Sequence, residues 1–139
     1  MAINFFKEDV ACPGLDQEKF RNWIVSVIEK YGKTPGEITY VFVSDEYLYK
    51  MNTEYLHHDY YTDVITFDYS KDDEISGDIF ISTDRVAENA DRYGVTFLNE
   101  LARVMIHGVL HLIGFEDATD EEKAEMRKRE DEALKMLEG

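Results

Sequence analysis

Hydrophobic positions along the chain fall into short alternating runs and longer runs of helical spacing, and their order sketches a fold. Ile3 to Phe6 reads as a short first strand. Phe20, Trp23, Ile24, Val27 and Ile28 follow the three- and four-residue steps of an amphipathic helix. Asp16 is its N-cap, Leu15 and Phe20 have the spacing of a hydrophobic staple, and Gly32 marks its end. Glu37 to Val43, rich in aromatic and β-branched side chains, predicts a second strand. Ser44-Asp45-Glu46 then caps a short helix reaching about Tyr55, and the turn-like His57-His58-Asp59 leads into an alternating run from Asp63 to Tyr69. Ile75 to Ile81 predicts a further strand, paired with that run across the polar Ser70 to Glu74 connection.

From Ser82 the rhythm becomes helical. One helix is predicted to about Tyr93, stopped by Gly94, and a second is capped by Thr96 and carries Leu101, Val104, Met105, His107 and His111. Between Val104 and Ile113 this second helix is apolar nearly all round, the pattern of a buried central helix. Thr119-Asp120-Glu121-Glu122 has the form of a capping box and opens a charged final helix, with Ala124, Leu134 and Leu137 as candidates for its inner face. Strands gathered early and helices late predict an α+β fold, a small mixed β-sheet with helices packed over it.

Composition narrows this picture in a few places. A chain of 139 residues, 44% hydrophobic and 13% aromatic, fits one domain with a real core, spanning residues 1–139. The N-terminus lacks a basic region followed by a long apolar stretch, so no signal peptide is expected, and no apolar run reaches the length of a membrane span. The single cysteine, Cys12, permits no intrachain disulfide and fits a cytoplasmic location. A formal net charge of −15 argues against loose, charge-driven binding to nucleic acid, whose affinity comes largely from neutralising phosphates. Any RNA binding must then rely on a local basic surface, on the metal, or on a partner. Arg103, Arg127, Lys128 and Arg129 offer local positive charge, although a solvated helix face is their simpler reading.

The chemistry concentrates in His107-Gly108-Val109-Leu110-His111-Leu112-Ile113-Gly114-Phe115-Glu116-Asp117. A helix advances about 100° per residue, so imidazoles at i and i+4 share a face, roughly 6 Å apart along the axis. Gly114 suits a helix C-terminus that turns the chain back and brings Asp117 toward both rings. Two nitrogens and one oxygen with a position left open is the composition of a catalytic zinc site. Glu116 is a competing ligand, and nickel or iron suits the same donors. The spacing H-x-x-x-H-x-x-G-x-x-D resembles that of metzincin peptidases, but Gly108 stands where their glutamate general base would be, which disfavours proteolysis.

From about Val41 onward the chain resembles the YbeY-type rRNA maturation endoribonucleases. His107 to Phe115 is close to that family's H-G-x-L-H-L-x-G-[YF] signature. Thr62-Asp63-Val64-Ile65-Thr66-Phe67 is similar to its T-D-V-L-S-F segment, and Gly77-Asp78-Ile79-Phe80-Ile81-Ser82 to its G-D-I-x-I-S strand. The resemblance implies a zincin-like α+β fold with its metal site on the central buried helix. It implies one Zn2+ per chain held by His107, His111 and Asp117, and hydrolysis of single-stranded RNA. In the family this serves maturation of the small-subunit rRNA 3′ end and ribosome quality control, with rRNA and the ribosome or its small subunit as partners.

Two positions depart from that family. Asp117 stands where histidine is common, which adds a negative charge to the donor set. Leu56 occupies the position of an arginine implicated in catalysis, and no arginine lies between Arg21 and Arg85. His57 and His58, adjacent to Leu56, are the candidates to take its place. Asp63 and Asp78 recur in the matched segments, with a simpler reading as turn or strand-end residues. A ribosome-associated factor with a structural metal, and a metallohydrolase of another substrate class, stay open as alternatives.

Overall fold

Tyr40, Val41, Phe42 and Val43 are all buried, and a strand can bury successive side chains only when both its faces are covered. The computed structural model, which describes residues 2–57 and 61–138, shows how. Strands β1 (Ala2–Lys7), β2 (Thr34–Val43), β3 (Val64–Asp68) and β4 (Glu74–Ser82) form one sheet in the order β1-β2-β4-β3. β1, β2 and β4 run parallel, and β3 is antiparallel to β4, with Val64 opposite Ile81 and Asp68 opposite Gly77. The mixed α+β architecture expected from the order of the elements is the one observed.

Helices α1 (Gln17–Lys30), α2 (Asp45–Tyr55), α3 (Thr83–Tyr93), α4 (Phe97–Ile113) and α5 (Asp120–Glu138) complete the fold. Ile38, Tyr40 and Phe42 of β2 with Ile75, Ile79 and Ile81 of β4 pack against α1 and α4 in the main core. Val41, Val43 and Ile65 face the other way and pack with Leu48 of α2 in a smaller cluster. The helices thus lie on both faces of the sheet.

The caps read from the sequence hold. Asp16, Ser44 and Thr96 each accept a backbone N–H in the first turn of α1, α2 and α4, and Ser82, where the helical rhythm begins, does the same for α3. Two differences have physical reasons. β2 begins at Thr34 rather than Glu37, through a register shift between Pro35 and Ile38. Pro35 is tolerated because β1 pairs with β2 only from Glu37 onward, so on that side no donor is required of it. Ala124 is exposed, whereas Met126, Glu130, Ala133 and Leu134 form the buried stripe of α5. The acidic start of α5 stands clear of the core, and the inner face begins one turn later.

Three contacts hold the frame around α4. The Tyr40 hydroxyl, wholly buried, donates to the Met105 carbonyl at 3.0 Å and ties β2 to the middle of α4. Trp23 Nε1 donates to the Ala133 carbonyl at 2.7 Å, joining α1 to α5. A Cβ on Gly108 would stand 3.0 Å from two carbons of Ile79, so glycine here allows α4 to lie close on β4. The same contact leaves no room for a glutamate at position 108 unless Ile79 shifts.

Candidate metal centre

Between Leu101 and Leu112, α4 is buried at every position except Arg103, His107 and His111. These three lie at four-residue steps, so an otherwise buried helix opens one stripe toward a cleft. The other wall of the cleft is the edge strand β3 with Thr62 and Asp63 before it and Leu56 at the end of α2.

The turn after α4 supplies the third group. Gly114 sits at φ 125°, a region that disfavours any side chain, and its N–H and that of Phe115 bond back to Leu110. Phe115 packs edge-on against Tyr31 with ring centroids 5.4 Å apart, and the Arg129 guanidinium lies 5.3 Å above its ring. Thr119 and Glu122 close the expected capping box through reciprocal bonds of 2.9 and 3.1 Å, which fixes where α5 begins. Held at both ends, the turn delivers Asp117.

Asp117 Oδ2 lies 3.3 Å from His107 Nε2 and 3.4 Å from His111 Nε2. Zinc bonds of ~2.0–2.2 Å in a tetrahedron separate neighbouring donors by about 3.3–3.5 Å. Both carboxylate–imidazole distances therefore match those around one ion, and the three ligand atoms lie within 4.8 Å of one another. The two rings are nearly perpendicular, with centroids 4.6 Å apart. Among the described residues, His107, His111 and Asp117 form the group able to hold a metal, and Glu116 is not part of it.

A residue that the sequence reading missed orients this group. Glu130 of α5 is buried and places Oε2 2.6 Å from His107 Nδ1, while its Oε1 accepts from Arg103 at 2.8 Å. Arg103 also bonds Asp131 at 2.7 Å. A carboxylate on the second ring nitrogen fixes the ring's orientation and leaves Nε2 free for a cation. The sequence held a signal, since Glu130 interrupts the apolar stripe of α5 four residues from both Met126 and Leu134.

Electrostatics around the triad follow from burial. Burial pulls the His107 pKa down, but the Glu130 hydrogen bond and the charges of Glu130, Asp117 and Asp63 outweigh it, so the net shift is upward. Asp63, beside the triad, has its carboxyl pushed up by desolvation against the opposing pull of His107. Glu100, buried in the first turn of α4, is raised mainly by burial and then by Asp63.

The remaining candidates separate cleanly. Asp78 lines a groove on the α2 face with Tyr47 and Phe80, away from the histidines. Leu56 lines the histidine cleft, His57 follows it exposed at φ 56°, and His58 lies outside the described residues. Arg103 is not a solvated helix residue but a half-buried ion-pair partner, and Arg129 packs on Tyr31 and Phe115.

Comparison with known proteins agrees with this geometry. The family profile described as Endoribonuclease YbeY matches residues 4–138. A Flavobacterium psychrophilum protein named Endoribonuclease YbeY is 53% identical over 122 residues, covering 88% of this chain and 87% of its own. A Porphyromonas gingivalis protein of the same name is 47% identical over 135 residues, covering 97% and 89%. A Bacteroides thetaiotaomicron protein, again of that name, is 46% identical and covers 98% and 99%. The solution structure of a Thermotoga maritima protein superposes with a TM-score of 0.69 at 26% identity, covering 98% of this chain and 89% of that one. With nearly every residue matched and a histidine-aspartate cluster at the end of its central helix, the chain belongs to the YbeY endoribonuclease family.

Proposed function

We propose that this chain is a metal-dependent endoribonuclease that hydrolyses single-stranded RNA during rRNA maturation in the cytoplasm, including the small-subunit 3′ end, and in ribosome quality control. The observation that carries the reading is the placement of Asp117 Oδ2 within 3.4 Å of both imidazole Nε2 atoms in a chain of this family. His107, His111 and Asp117 would hold one Zn2+, which would supply Lewis acidity toward a phosphoryl oxygen and acidify water at neutral pH. The chain's own groups account for the rest. Glu130 holds the His107 ring and keeps its proton on Nδ1. Asp63 is half-buried in the same cleft and made more basic by desolvation, and in this reading it would accept a proton from the attacking water. Val64 and Leu112 form apolar walls beside these groups.

The test measures zinc content and cleavage of a single-stranded rRNA fragment on the same preparations of wild type, His107→Ala and Asp117→Ala. We expect about one zinc in wild type, substoichiometric zinc in both variants, and cleavage lost in parallel. Equal zinc in all three would remove the site from the argument. Leu56, exposed in the cleft where the family resemblance leads one to expect arginine, favours a second reading as a ribosome-binding factor with little catalysis. Zinc-loaded wild type that binds small ribosomal subunits yet leaves RNA intact would select that reading.

A further inference from the structure

The chain has six arginines, and five are engaged within the protein. Arg21 donates to the Ile3 carbonyl, Arg85 pairs with Asp45, Arg92 with Glu88, Arg103 with Glu130 and Asp131, and Arg129 with Glu125. Arg127 makes no ion pair or hydrogen bond among the described residues. It projects from α5, exposed, into a cleft of about 250 Å3 that shares His107, Asp117 and Asp63 with the larger cleft on the Leu56 side. The triad thus lies between two clefts, and an extended strand crossing it would occupy both.

The smaller cleft repels a polyanion unless a cation is free. Its wall carries the carboxylates of Asp63, Glu100, Asp117 and Glu130. Arg103 lies in the same wall, but its guanidinium is already bound to two carboxylates at 2.8 and 2.7 Å. Arg127 lines the same cleft as Glu100, and its charge favours the ionised form of that carboxyl. A guanidinium without an internal partner, beside a site for phosphodiester chemistry, offers the fork that matches two phosphate oxygens.

We infer that Arg127 binds a backbone phosphate of single-stranded RNA adjacent to the metal triad, and so holds the strand across His107 and Asp117. The inference rests on the endoribonuclease reading. It makes Arg127 a substrate-binding residue supplied by α5, while His107 and His111 come from α4.

The test uses the zinc-loaded full chain and a short fluorescein-labelled 2′-O-methyl oligouridylate, with binding read by anisotropy over a range of salt. Arg127→Ala is compared with wild type, with Arg127→Lys, and with Lys128→Ala. Lys128 removes the same charge one residue along the same helix but does not line the cleft. Expected are about ten-fold weaker binding for Arg127→Ala and a salt slope shallower by about 0.7, the share of one phosphate on a single strand. Arg127→Lys should recover part of the affinity, Lys128→Ala should stay near wild type, and zinc content should be equal in all four. On cleavable RNA the loss should fall mainly on KM. If wild type cleaves RNA while Arg127→Ala binds with unchanged affinity and slope, or Lys128→Ala matches its loss, this assignment is overturned alone. A zinc-loaded wild type that neither binds nor cleaves RNA overturns the endoribonuclease reading, and the role of Arg127 with it.

Discussion

Glu130 governs what His107 can do. Its two oxygens are divided between the imidazole at 2.6 Å and Arg103 at 2.8 Å, and the residue is only 6% exposed. Removing the side chain leaves a half-buried arginine and a half-buried histidine each short of a partner, so Glu130→Ala mixes loss of function with loss of stability. Glu130→Gln separates them, because the amide keeps the volume and one acceptor but loses the charge. Partners of a ligating histidine are worth about 10–100-fold in metal affinity. We expect Glu130→Gln to bind zinc at least ten-fold more weakly, by competition with a chromophoric chelator at fixed pH, while its far-UV spectrum stays that of wild type. Unchanged affinity would mean that His107 is oriented by packing alone.

At the scale of elements, the site depends on how closely α4 lies on the β3–β4 pair. A Cβ on Gly77 would stand 2.4 Å from the Phe67 carbonyl oxygen and 2.9 Å from a Leu112 methyl. The first contact is with backbone, which cannot rotate away, so Gly77→Ala must move β3 or α4. Overpacking of this kind costs about 1–3 kcal/mol. The urea midpoint should fall accordingly, and zinc affinity should fall with it, since β3 and α4 carry opposite walls of the cleft. A variant with lowered stability and intact zinc affinity would show that the triad moves as a unit with α4 and its turn. These same elements show what the sequence could and could not reveal. Local signals such as the Asp16, Ser44 and Thr96 caps, the glycine stop at Gly94 and the apolar run of α4 hold because each is decided within a few residues. The triad was legible because its helix and its glycine turn are both local too. Glu130 was not named, since its meaning depends on α5 folding back to His107 across 23 residues of sequence. Asp63 and Asp78 could not be told apart until the sheet assigned them to different clefts. Ala124 was misplaced for a related reason, because periodicity gives the phase of a stripe but not where packing starts.

For the whole molecule, the acidic balance and the metal oppose each other in a way that pH exposes. The formal net charge is −15, and Asp63, Glu100, Asp117 and Glu130 converge around the triad. Asp63 and Glu100 have pKa values raised mainly by burial, and His107 is raised by Glu130 and its acidic neighbours against burial. All three hold protons more tightly folded than unfolded. Their contribution to stability is therefore complete below the unfolded values and is lost as pH rises through the folded ones. In the metal-free protein, Tm should decline from the usual carboxylate range to above the ordinary histidine range. Asp9, whose pKa is lowered by Ser44, works in the opposite sense but in a more acidic window. Zinc reverses the slope, because it needs His107 without its Nε2 proton and its stabilisation grows as that proton leaves. Melts with excess zinc and with a chelator should therefore diverge as pH rises, the gap closing on acidification and vanishing at every pH in His107→Ala. Parallel curves with a constant gap would show that zinc, where it binds, does so without displacing the His107 proton, and would detach the charge cluster from the metal.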